Sequence, residues 1–72
     1  MKTREIKLLD VVALLKGAPN EGLVLGQVGT VVELLAPNVF EIEFANTDGE
    51  TIAMLAVEDK DLILLHFEPV AA

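Results

Sequence analysis

The sequence contains no cysteine, serine, tryptophan or tyrosine. Each absence removes a class of chemistry. Without cysteine there is no disulfide framework and no thiolate zinc site. Without serine there is no serine nucleophile. With no Trp or Tyr and only 3 Phe, the chain lacks the side chains of a groove for proline-rich peptides, and of a stacking platform for single-stranded bases. The lone histidine, His66, has no second ring to complete a nucleophile or a metal site, and reads as a structural residue on a terminal apolar strand. Basic residues are also scarce. Lys2, Arg4, Lys7 and Lys16 lie in the first sixteen positions, and beyond them only Lys60 is basic. Long apolar runs are missing too. Asp10 and Lys16 interrupt the N-terminal run before it reaches signal-peptide length, and no stretch approaches the ~20 apolar residues of a membrane span. The expectation is a cytoplasmic bacterial protein with no membrane association.

What is present is apolar and acidic. Hydrophobic residues make up 53% of 72 residues, and the formal net charge is -7. A chain of this length forms one domain, expected over residues 1–72 with loose ends at 1–6 and 69–72. Domains this small bury only about 60% of their unfolded surface. The apolar surplus therefore points to surface covered by another chain, in a homo-oligomer such as a dimer or in a heteromeric complex. The acids run through the body from Glu21 to Glu68. Such a body repels phosphate backbones and attracts basic protein surfaces.

The pattern is that of strands. Phe40, Ile42 and Phe44 alternate with Glu41 and Glu43, the period of a half-buried antiparallel strand. Around them we read strands at 8–15, 27–35, 39–45, 50–57 and 62–67. A glycine- and proline-containing loop spans 16–26, and Leu23, Val24 or Leu25 within it should fold back over the core. Ala36-Pro37-Asn38 and Asn46-Thr47-Asp48-Gly49 supply turns, with Asp-Gly as the hairpin signal. Glu58 to Asp61 should form a short 3₁₀ turn. Five short strands, a long first loop and a short turn before the last strand define an all-β fold, a small five-stranded SH3-like barrel. Its inward residues are expected to be Val28, Thr30, Val32, Phe40, Ile42 and Phe44, with Ala53, Leu55 and Val57 from the fourth strand. A three-residue turn sets Leu35 opposite Val39, Glu33 opposite Glu41, and Val31 opposite Glu43. Ile52 and Met54 are left outside.

Acid–base catalysis needs paired carboxylates in a concave pocket. Glu41 and Glu43 share an outer strand face with Glu33 opposite, which is a solvated arrangement. The acids near Gly49 do not make a calcium loop, because the position six beyond that glycine is Leu55. Gly22, Gly26 and Gly29 are too widely spaced for a phosphate loop. No catalytic, metal or cofactor site is expected.

Two resemblances follow. Gln27-Val28-Gly29-Thr30-Val31-Val32 resembles the core of a KOW motif, a glycine among β-branched residues in ribosomal and transcription-elongation proteins. KOW modules that touch RNA carry Lys or Arg there, whereas this chain has Gln27 and Thr30. Over nearly the whole chain the sequence resembles the small bacterial family called domain of unknown function 4926. The resemblance lies in Leu8-Leu9-Asp10-Val11-Val12-Ala13-Leu14, Gly22-Leu23, Gly26-Gln27-Val28-Gly29-Thr30-Val31-Val32-Glu33, Glu41-Ile42-Glu43-Phe44, Asp48-Gly49, Leu62 and Leu64. That resemblance implies the fold and no particular activity.

The expected function is a non-enzymatic protein-interaction module, the acidic partner of a basic protein in the manner of an antitoxin or inhibitor. Glu33, Glu41, Glu43, Ile52 and Met54 are its candidate partner-binding residues. The alternative is a KOW-type nucleic-acid or ribosome accessory protein, which the acidic balance disfavours.

Overall fold

The structure is a computed structural model and describes residues 5–67. The strands are β1 (Val11–Leu14), β2 (Val28–Ala36), β3 (Val39–Ala45), β4 (Thr51–Glu58) and β5 (Leu62–Leu64). Two 3₁₀ turns, Pro19–Glu21 and Asp59–Asp61, join β1 to β2 and β4 to β5. The sheet is antiparallel throughout, in the order β4-β3-β2-β1-β5. Its two edges, β4 and β5, are not paired with each other, so the sheet is open. Among the described residues no helix is long and apolar enough to cross a membrane. The loose ends expected at 1–6 and 69–72 fall mostly outside the described residues. Ile6 is described, and it packs partly buried against the core.

β3 follows its alternation. Phe40, Ile42 and Phe44 are buried, and β4 adds buried Val57 with Ala53 and Leu55 packed against the same cluster. Val12, Leu14 and Leu62 complete the core from β1 and β5. Leu23 is the loop residue that folds back, and it is buried, whereas Val24 and Leu25 are exposed. The core thus comprises nine buried residues, eight from one face of the sheet and Leu23 from the loop, and each fully buried side chain of this size contributes roughly 1.5–3 kcal/mol.

β2 corrects the expected inward set. Gly29 and Val31 face the core, while Thr30 and Val32 are half-buried and Val28 is 48% exposed. The reason is steric. A Cβ at Gly29 would lie 2.6 Å from Ile42 Cγ2 and 2.8 Å from Phe44 Cδ1. The Phe44 ring fills the space that a β2 side chain would otherwise occupy, so the core accepts glycine there. The neighbour that comes close is a pair of side chains and not the backbone that a strand glycine usually signals. The register moves with it. Ala36 pairs with Val39, Leu34 with Phe40, Glu33 with Glu41, Val31 with Ile42, and Thr30 with Glu43. Of the three pairings expected from the sequence, only Glu33–Glu41 occurs. The loop is two residues, Pro37 and Asn38, and two irregularities in β2 absorb the difference.

β1 is shorter than expected. Asp10 Oδ2 accepts the Lys7 N–H at 2.7 Å, and the Asp10 N–H donates back to the Lys7 carbonyl at 3.1 Å. That local turn places Leu9 at φ 71 and takes Leu8 and Leu9 out of the strand.

Candidate functional site

The alternation that buries Phe40, Ile42 and Phe44 forces Glu41 and Glu43 to the opposite, outer face. Glu41 pairs with Glu33 on β2 and with Ala56 on β4, while Glu43 pairs with Thr30 and Met54. Three carboxylates thus stand on two neighbouring strands, two of them directly opposite each other. The Thr51 hydroxyl donates to Glu43 Oε2 and fixes that carboxylate along the β3–β4 seam. Among the described residues no cation lies within ion-pair distance of Glu33, Glu41 or Glu43. Lys60 pairs with Glu58 and Lys16 with Asp61, each at 3.5 Å. Among the described residues the charge of the acidic face is therefore not compensated, and opposed like charges cost the sheet some stability.

Beside it, Ile52 and Met54 are each 51% exposed. Met54 is cross-strand neighbour to Glu43, and Ile52 sits at the irregularity where Ala45 pairs with Thr51. The structure therefore brings Glu33, Glu41, Glu43 and Met54 onto one face, with Ile52 at its border. Reading the sequence missed Thr51, whose hydroxyl orients Glu43. It also placed Val28 inward, whereas its side chain is exposed and, with that of Ile63, extends the apolar surface toward β5. No alternation could have marked Val28, because β2 is apolar at both parities.

Concave features lie elsewhere. A cavity of about 450 Å³ opens between the N-terminal segment, the β2–β3 turn and Asp59, lined by Ile6, Lys7, Asn38 and Phe40. A smaller groove of about 250 Å³ separates the Leu55–Glu58 edge of β4 from Lys16, Gly17 and Ala18. Among the described residues no group of three His, Cys, Asp or Glu is placed to hold a metal. His66 lies beyond the end of β5 and is exposed.

These features define a class, a small open antiparallel sheet with an acidic outer face bordered by exposed apolar side chains. A family described as a domain of unknown function (DUF4926) matches residues 8–64, and the chain belongs to that family. No curated protein and no solved structure matches the chain.

Proposed function

We propose that the protein is a cytoplasmic, non-enzymatic, SH3-like interaction module, whose acidic face binds a basic protein as an antitoxin or inhibitor would. The observation that carries this reading is the set of Glu33, Glu41 and Glu43, held on adjacent strands with no cation among the described residues within ion-pair distance. The cost of opposing Glu33 and Glu41 is relieved when a cationic surface covers them. Complementary fields also steer encounter, so association should be fast at low salt and slow as salt rises.

The test replaces Glu41 and Glu43 with Gln and measures both stability and association with the partner captured from the native host. The double variant should be as stable as the parent or slightly more so. Its association should slow at least about tenfold at low ionic strength and lose most of its salt dependence. An unchanged rate with unchanged salt dependence would reduce the acidic face to a solubilising surface. A KOW-type nucleic-acid role rests on the Gln27–Val32 stretch, where Gly29 lies buried in β2. Retention on heparin would favour that role, because it requires a basic face.

A further inference from the structure

β4 is a sheet edge eight residues long, Thr51–Glu58, and between Thr51 and Val57 it carries no charge. Natural edges are blunted by shortness, Lys, Pro, bulges or a covering loop. β5 has the first of these, being three residues long. β4 has no Lys, Arg, Pro or Gly, its one irregularity, at Thr51 opposite Ala45, leaves Ala53 to Glu58 in regular register, and the Lys16–Ala18 loop stands off its Leu55–Glu58 end across an open groove of about 250 Å³.

The ladder shows which backbone groups of this edge are free. The Asp59 N–H donates to the Asn38 carbonyl at 2.8 Å, and Val39 lies opposite Glu58. Bonded and non-bonded pairs alternate along an antiparallel ladder. The bonded pairs are therefore Phe40–Val57, Ile42–Leu55 and Phe44–Ala53. The N–H and C=O groups of Met54 and Ala56 point away from β3. Among the described residues no backbone hydrogen bond reaches them from that side.

We infer that β4 pairs antiparallel with β4 of a second copy of this chain, about a two-fold axis at Met54. Parity selects this geometry. Free groups must meet free groups, and outer faces must stay on one side, so even-numbered residues oppose even-numbered residues. An axis at Met54 sets Met54 against the partner's Met54, and Ile52 against the partner's Ala56. Every residue from Ile52 to Ala56 then meets an uncharged one. Sliding the copies by two residues sets Ile52 against the partner's Glu58, or Ala56 against the partner's Glu50. Charge also argues for this edge. Two bodies of net charge -7 can approach only through a segment that carries none. At the ends of the pairing Glu58, already 3.5 Å from Lys60, comes opposite the partner's Glu50. Self-association should therefore strengthen as salt screens those ends, the opposite of binding to a basic partner.

The experiment is sedimentation equilibrium of the full chain at micromolar concentration, with circular dichroism on each variant. Met54→Pro removes the outward N–H, which the β3 ladder does not use, and leaves the ladder's own donors in place. Met54→Lys keeps the whole backbone and places a charge at the axis, so it carries the test if the Pro variant fails to fold. Both should raise the dimer dissociation constant at least about tenfold. Met54→Cys, in a chain with no other cysteine, should oxidise to a covalent dimer, since bonded pairs sit ~5.5 Å apart at Cα, within disulfide range. A monomeric parent, or folded Lys and Pro variants that dimerise as the parent does, overturns the proposal.

Discussion

Gly29, the second residue of β2, has no side chain, and Ile42 and Phe44 close over it. Its role is to yield volume to a residue on another strand. Gly29→Ala inserts a Cβ at 2.6 Å from Ile42 Cγ2, and overpacking of this kind typically costs 1–3 kcal/mol. Urea unfolding should show a lowered midpoint for the variant. An unchanged midpoint would mean that Phe44 has room to move. This is also where the sequence misleads. Val28, Thr30 and Val32 look inward because strand cores are read from side chains. A glycine that faces inward leaves no apolar mark, and neither do the two irregularities that shift β2 against β3. Leu9 escapes for a related reason. Its φ of 71 is set by the Lys7–Asp10 turn, and a leucine in an apolar run carries no sign of a left-handed backbone.

At the scale of elements, β3 was legible to the residue, because Phe40, Ile42 and Phe44 alternate with Glu41 and Glu43 and turn residues bound the run on both sides. The turn after it was legible through Asp48-Gly49, and Gly49 does adopt φ 83. The turn depends equally on Asn46. Its Oδ1 accepts the N–H groups of Asp48 and Glu50 at 2.9 and 3.0 Å, and its Nδ2 donates to Glu50 Oε1 at 3.0 Å. Gly49→Val forces a β-branched residue into the left-handed region and should cost more than ~1 kcal/mol. The variant should melt well below the parent, and coincident melting curves would refute the assignment. No atom lies within 4 Å of a Cβ built at Gly49, so the loss would be conformational and not steric. The pairing of Glu33 with Glu41 follows from the sequence only through an assumed three-residue turn, and it occurs because the irregularity between Leu34 and Ala36 offsets the two-residue loop.

For the molecule as a whole, the apolar surplus was legible as composition but not as location. Leu25 is 70% exposed, and Val28, Ile52, Met54 and Ile63 also remain in solvent. The open sheet accounts for this distribution, since one face holds the core and the other carries both the acids and the apolar residues. One consequence of the topology concerns the order in which the chain comes apart. β2, β3 and β4 are joined by tight turns, whereas β1 pairs Val12 with Leu64 from the far end of the sequence. Closing that contact costs loop entropy that the hairpins do not incur. The β1–β5 ladder should therefore open while the β2–β4 meander still holds. Native-state hydrogen exchange should find the Leu65 amide, bonded to the Val11 carbonyl at 3.0 Å, exchanging at a lower opening free energy than the amides of Ile42 and Phe44. Equal protection at the two places would make the domain a single cooperative unit; unequal protection would make its terminal strand a latch, released first and re-formed last.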